Sequence, residues 1–479
     1  MNRGAVVAAT VIVALVIAGV EYQALFSGGG PTSTTSHTST SSSASSSSIA
    51  TSGSGCNEAA YQATTDWTTY HGNNSRTGDA STPVPGQEVK CVRPGWVSQG
   101  LDGEVYAEPL AYQGIVVVVT EMDVVYGLNI TSGAMIWSSR LGTPVNGSTL
   151  QCGDINPTGI TGTPVIDPVT GTVYVVAFES PGAHYLAAID IHTGRVEFKV
   201  PADPPGADPL VQQERGALSL GNGRVYVMYG GLAGDCGDYH GWVVGLNEDG
   251  SPGMVSYEVP TQREAGIWAP SGAAMDASGN LFVTTGNGAS TSAFDFSNAV
   301  IELSPTLQEL EYFAPSDWVQ LNQGDTDLGS VGPMLLGHGE LFQIGKEGVG
   351  YLLNASNLGG VGGELYSAHV CSSAFGGMAL AGSTVFVSCT DGLVALNTMS
   401  HSFSVLWRGP GLSVGPPIVT GDVVWVVDTS NGQLHGYDVH TGTLDFSAQT
   451  SQVTRFTTPS TASGWVIVAA GDEVYSFLL

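Results

Sequence analysis

The chain has 479 residues, with 42 Asp and Glu against 13 Lys and Arg, a formal charge of −29 at pH 7. A surface so poor in cations cannot neutralise phosphates, which excludes nucleic acid as a partner and gives no electrostatic hold on anionic lipid. Gly 66, Pro 24 and only 11% charged residues point to short strands joined by turns, and a charge set dominated by carboxylates suits an acidic exterior, where protonation removes self-repulsion.

Residues 1–26 open with "MNRG" and a largely apolar run from Ala5 to Val20. That run is short for a full span of ~20 residues but fits a signal h-region or a signal-anchor. Glu21 and Tyr22 follow without an A-x-A site, so a retained anchor and a cleaved signal both stay open. Residues 27–55, rich in Ser, Thr and Gly, cannot bury a core and read as a flexible stalk. Together they place the rest of the chain outside the cytoplasm, at the cell surface on a single N-terminal membrane segment or secreted. The four sequons at Asn73, Asn129, Asn146 and Asn354 are each a weak signal.

Six cysteines in an exported chain suit disulfides. Cys371 and Cys389 fall on neighbouring strands and are the expected pair; the remaining pairings stay open. With no C-x-x-C or C-x-x-C-H, a zinc ribbon, a thioredoxin-type site and covalent haem are not expected. The ten histidines are scattered without H-x-x-x-H, so neither is a histidine zinc site.

After a lead-in segment (56–91), residues 92–479 carry an internal repeat. One unit reads Gly-x-Val-aromatic-Val, a polar gap, an apolar strand ending in Leu/Ile-Asp/Asn, then Thr-Gly and a Trp strand. "EPLAYQGIVVVV…VVYGLNITSGAMIW" (108–137) and "TPVIDPVTGTVYVVA…YLAAIDIHTGRVEF" (163–198) are two copies. Five more begin near 221, 277, 337, 381 and 420. Each supplies about four short strands, and stacking such sheets around an axis buries both of their apolar faces. The tail "RFTTPSTASGWVIVAAGDEVYSFLL" holds only three strands, while "VRPGWVSQGL" (92–101) matches the Trp-bearing fourth. The expected fold is all-β: an eight-bladed β-propeller of four-stranded antiparallel blades, with the N-terminal strand closing the last blade. Seven blades is the alternative.

The units "AIDIHTGRVEF" and "LNITSGAMIW" resemble the pyrroloquinoline-quinone (PQQ) repeat of quinoprotein alcohol dehydrogenase-like propellers, and the resemblance extends over 66–479. Members of that superfamily include dehydrogenases and also cofactor-free scaffolds, among them an outer-membrane assembly factor, so the fold leaves activity open. Three stretches look like cofactor-site segments of the dehydrogenases: "GIWAPSGAAMDASGNLFVTTGN" (266–287), "GDTDLGSVGP" (324–333) and "GKEGVGYLLN" (345–354). The resemblance implies that Trp268 floors a planar cofactor and that Lys346 contacts quinone oxygens. It implies further that Asn287, Asp325 and Asp327 lie nearby. Asp295, Asp325 or Asp327 would be the base, and Asn287 and Asp295 the candidate calcium ligands. A fixed ammonium suits a quinone that accumulates negative charge. The departures are the missing vicinal cysteines and haem motif.

Each residue also has an architectural reading: an ion pair for Lys346, turn capping for Asp325 and Asp327, blade packing for Trp268. The aspartates in "CGDIN" and "DCGDY" read as loop-stabilising first and calcium ligands second. The leading functional expectation is a membrane-tethered cell-surface module that binds or assembles proteins or glycans. The alternative is a PQQ-dependent alcohol or sugar dehydrogenase acting outside the membrane, with PQQ and calcium.

Overall fold

The computed structural model describes residues 66–80, 91–399 and 401–479, all within the compact unit Gly53–Leu479. The signal or anchor segment and the Ser/Thr stalk lie outside the described residues. Among the described residues no helix is long and apolar enough to cross a membrane.

Eight sheets follow one another around a ring, antiparallel except that the short strand Gly360–Val361 adds in parallel to the outer strand Glu309–Ala314 of the fourth. Blades 1 to 7 occupy 110–140, 165–201, 212–258, 274–314, 334–369, 374–408 and 418–449. Blade 8 takes three strands from 460–478 and its fourth from Arg93–Val97, in the register Arg93↔Leu478 and Pro94↔Phe477. The expected closure is therefore the observed one. A short helix, Trp318–Gln323, sits in the connection between blades 4 and 5. The inner strands are buried on both faces, as at Ile115–Thr120 and Val423–Asp428, because each sheet is sandwiched between neighbours. Outer strands alternate with solvent, as at Val196–Pro201.

The repeat motif has a physical basis at the blade junctions. In "DIHTG", Asp190 Oδ1 accepts from the backbone N–H groups of His192 and Thr193 and from the Thr193 hydroxyl, which closes the turn. Asp438 repeats this with His440 and Thr441. The tryptophan of the preceding blade then lies on the turn's glycine and donates its Nε1–H to a carbonyl of that turn. Trp137 donates to Ile191 and Trp407 to Val439. A Cβ at Gly194 or Gly442 would sit 2.6 Å from that indole, at φ near +70°, so only glycine fits. Trp96 makes the same bond across the ring closure, to Ile130 of blade 1 at 2.7 Å. Trp96→Ala is expected to cost about 2 kcal/mol in denaturant unfolding and to cut amide protection selectively in 465–478. Uniform protection across blade 8 would count against this junction.

The lead-in residues 66–80 run along the foot of the ring as an axial plug. Trp67 exchanges backbone bonds with Ala111 of blade 1, and the carbonyl of Thr68 accepts from Ile166 of blade 2. The carbonyls of Asn74, Ser75, Thr77 and Gly78 accept from Met275, Leu335, Leu380 and Val419, in blades 4, 5, 6 and 7. Arg76 reaches blade 3 through the carbonyl of Leu218 and the Ser219 hydroxyl. The inner-strand donors that would otherwise face the axis unpaired are thus satisfied.

Disulfides join Cys371 to Cys389, as expected, and Cys152 to Cys236. The latter ties the loop after blade 1 to a loop within blade 3, at the opening of the central funnel.

Candidate functional site

Funnel residues come from the loops that enter and leave the inner strands. Trp268 precedes blade 4 and Asn287 follows its second strand, Leu281–Thr284. Asp325 and Asp327 belong to the connection into blade 5, and Lys346 to a turn inside that blade, after Glu340–Gln343. Gln343 locks the two blade 5 segments together: its side-chain amide donates to the carbonyls of Leu328, Val331 and Ile344. The Lys346 backbone N–H donates to the Asp327 carbonyl at 2.8 Å.

All five side chains line one open cavity of about 270 Å³. Lys346 Nζ lies 2.5 Å from Asp327 Oδ2 and 3.1 Å from Asp325 Oδ1, and 5.8 Å from the centre of the Trp268 ring. Asp327 is 3% exposed, and its Oδ1 accepts from the Asn287 backbone N–H at 2.6 Å. Burial raises the Asp327 carboxyl above the usual carboxylate range, and the Lys346 ammonium pulls it back. Burial pulls Lys346 down, but the charges of Asp327 and Asp325 more than compensate and leave it above its ordinary value. The geometry favours a charged pair. A Cβ at Gly286 would sit 2.6 Å from Asp327 Oδ1, so this glycine makes room for the carboxylate.

Asp295, the first-named candidate for the base, is not in the cavity lining. Its Oδ1 accepts from the Ser297 hydroxyl and its Oδ2 from the Thr261 hydroxyl, at 2.7 and 3.0 Å. It lies behind Gly288, in a loop turned by positive φ at Phe296 and Asn298, and braces that loop. A Cβ at Gly288, the residue after Asn287, would lie 3.6 Å from Asp295 Oδ1. Among the described residues, the one group of three or more His, Cys, Asp or Glu within reach of a single ion is Cys371, Cys389 and Asp391, and its sulfurs are spent in the disulfide.

The sequence pointed to the 268–346 segment and to the aspartates of "CGDIN" and "DCGDY", but missed the cations and rings of the opposite wall. Gln213, Arg215, Asp154, Asp235, Phe375, Arg455 and Phe456 line the same cavity. Asp235 accepts from the Tyr239 hydroxyl at 2.6 Å, the loop-bracing role read from "DCGDY". Arg215 and Arg455 could have been found by the scarcity of cations that singles out Lys346.

The sequence model of a family described as outer membrane protein assembly factor BamB matches residues 65–318 and 360–477. No curated protein matches the chain in sequence. Among solved structures, quinohemoprotein alcohol dehydrogenase ADHIIG from Pseudomonas putida HK5 is similar at TM-score 0.69 and 13% identity, over 87% of this chain and 80% of that one. The quinohemoprotein alcohol dehydrogenase from Comamonas testosteroni aligns at TM-score 0.65 and 16% identity, over 86% and 80%. BamB from Moraxella catarrhalis aligns at TM-score 0.55 and 15% identity, over 81% of this chain and 100% of that one. At these identities the likeness is one of fold.

Proposed function

Because the chain belongs to the family described as outer membrane protein assembly factor BamB, we propose that it is an exported, membrane-tethered binding propeller whose ligand enters the central funnel. The observation that carries this reading is the convergence of Trp268, Asn287, Asp325, Asp327 and Lys346 on one open cavity. A propeller that served only as a rigid ring would gain more by filling its axis with apolar side chains than by keeping charged groups around a void. The apolar run before residue 21 and the Ser/Thr stalk support the address outside the membrane. Titration of PQQ, a flat ligand of matching chemistry, against intrinsic tryptophan fluorescence tests the reading. Saturable quenching that disappears in Trp268→Ala is the expected result; no binding by the intact chain would refute it.

The Lys346–Asp327 pair beside Trp268 favours a second reading, a quinone-dependent dehydrogenase. The residues present fit PQQ: Trp268 offers a flat face, Lys346 a fixed positive charge, and Gly286 leaves the pair its space. When bound, PQQ would supply a hydride-accepting ortho-quinone. Asp327, held ionised by Lys346, would take the hydroxyl proton of an alcohol on Oδ1 or Oδ2, and the Asn287 N–H would keep the carboxylate oriented. Asp327→Asn is expected to lower dye reduction with primary alcohols by about 10²-fold or more, with PQQ affinity changed only a few-fold. Equal turnover in that variant would remove Asp327 as the base.

A further inference from the structure

The four sequons fall in two different environments. In Asn73-Asn74-Ser75 the asparagine belongs to the axial plug, and its side-chain amide is engaged there. Nδ2 donates to the Thr77 hydroxyl at 2.6 Å, and Oδ1 accepts from the Thr77 backbone N–H. The next two residues are tied to blades 4 and 5 through the carbonyls of Asn74 and Ser75. In the other three sequons the amide is used on its oxygen side only. Asn129 Oδ1 accepts from the backbone N–H and the hydroxyl of Thr131, at 3.0 and 2.7 Å. Asn146 Oδ1 accepts from the N–H and hydroxyl of Ser148, at 3.1 and 2.7 Å, and Asn354 Oδ1 from the Ser356 N–H at 2.9 Å. Nδ2 of these three donates to no partner among the described residues.

Turn closure does not call for that nitrogen. Asn129 and Asn354 end the third strands of blades 1 and 5, the position that Asp190 and Asp438 hold in blades 2 and 7. There a carboxylate oxygen closes the turn. An amide at the same point keeps the oxygen's role and adds a nitrogen with no structural duty. The hydroxyl two residues on is the other requirement of a sequon, and at Asn129 and Asn146 it already donates to the amide oxygen.

Space is open where a branched group would need it. Asn146 is exposed in the connection between blades 1 and 2, and Asn129 is followed by exposed Thr131 and Ser132. Asn354 lines an open groove of about 770 Å³ between blades 5 and 6. Gly337, Gly339 and Gly382 border it, and a Cβ on any of them would meet nothing within 4 Å. Met399 and Leu365, 62% and 38% exposed, give its walls apolar surface that a sugar ring can cover.

We propose that Asn129, Asn146 and Asn354 are N-glycosylation sites and Asn73 is not, with the Asn354 saccharide lying in the groove between blades 5 and 6. The inference rests on the address outside the membrane proposed above, where a lipid-linked saccharide serves as donor. Nδ2 forms the bond to C1 of the sugar, the bond from C1 to the lipid phosphate breaks, and the amide proton passes to a base of the transferase. Uncharged saccharides hydrate a surface whose 42 Asp and Glu lose charge in acid.

The test is mass spectrometry of peptides from the full chain recovered from the cells that make it. Saccharide on the peptides of Asn129, Asn146 and Asn354, with Asn73 unmodified, is the expected result. An unmodified asparagine at any of the three, or saccharide on Asn73, would overturn the assignment. Asn354→Asp keeps the turn's oxygen and should lose one saccharide with unchanged circular dichroism. Uncovered in that variant, Met399 should be oxidised by peroxide about threefold faster or more; an unchanged rate would overturn the groove placement. Protease added to intact cells separates this inference from the address. Unmodified asparagines on a chain it cleaves overturn glycosylation alone, and on a chain it cannot reach they overturn both.

Discussion

Arg76→Met should cost the propeller about 3–5 kcal/mol of unfolding free energy, the largest loss expected from any single substitution outside the blade cores. Arg76 is 1% exposed, and its guanidinium donates five hydrogen bonds. Nε donates to the Ala273 carbonyl, Nη1 to the Thr69 hydroxyl and the Tyr70 carbonyl, and Nη2 to the Leu218 carbonyl and the Ser219 hydroxyl. One side chain thus pins the axial plug to blade 3 and to the entry of blade 4. Burial lowers its pKa to about 10, with Glu108 and Tyr70 opposing that shift. Methionine fills the volume but orphans the buried carbonyls of Tyr70 and Leu218, leaves that of Ala273 only the Ser219 hydroxyl, and removes the cation that balances Glu108. Glu108 otherwise relies on the Trp67 indole and the His71 backbone N–H, at 2.7 and 2.9 Å. Arg76→Lys keeps the charge and loses the fork, so it should recover less than half of the deficit. Equilibrium denaturation at pH 6 measures both; a loss under about 1 kcal/mol for the methionine variant would refute the hub.

Stability should fall as pH rises from about 5.5 to 8.5, the reverse of a protein held together by ionised carboxylates. Asp123 is fully buried and neither of its oxygens has a hydrogen-bond partner; Glu121 and Glu214 each leave one oxygen unpartnered. Burial pushes Glu121 up to about 7 and Asp123 up to about 8, Asp123 being raised further by the charges of Glu179 and Glu121. It lifts Glu214 well above the carboxylate range as well. Groups whose folded pKa exceeds the unfolded one stabilise fully below about pH 4 and lose that contribution as pH rises through the folded pKa. At roughly 1.4 kcal/mol per unit, Glu121 and Asp123 together remove several kcal/mol over this window.

Buried His71 acts in the opposite sense. Burial lowers it to about 3, so it weakens the fold as pH drops below about 6.5, and the optimum lies in mild acid. Thermal denaturation across the range checks this, and the double variant Glu121→Gln, Asp123→Asn should flatten the alkaline limb. Stability that rises from pH 5.5 to 8.5 would sink the account. An acidic working environment, expected from the charge balance, is the setting this profile suits.

The ring was legible in the chain because its signals are local and repeated. Asp-x-x-Thr-Gly turns, alternating strands and a recurring Trp each carry their own geometry, and the orphan Trp96 strand announced its missing partner sheet. The Cys371–Cys389 pair was equally legible, since both cysteines belong to one hairpin. Of the candidate site residues, Trp268, Asn287, Asp325, Asp327 and Lys346 line one cavity, while Asp295 braces a loop, because a backbone reversal that no residue type dictates turned it behind Gly288.

Sequence alone pointed to the repeated blade and to the half-units at both ends that close the ring, since each blade's pattern is spaced within a few dozen residues. Only the tertiary structure decided which cations are balanced. Arg76 looks like any arginine in a polar lead-in until blade 3 and the entry of blade 4 bring the Leu218 and Ala273 carbonyls to it, and Arg215 and Arg455 are 240 residues apart in the chain. Charge balance is a property of distances through space, and those are set only when the ring is complete.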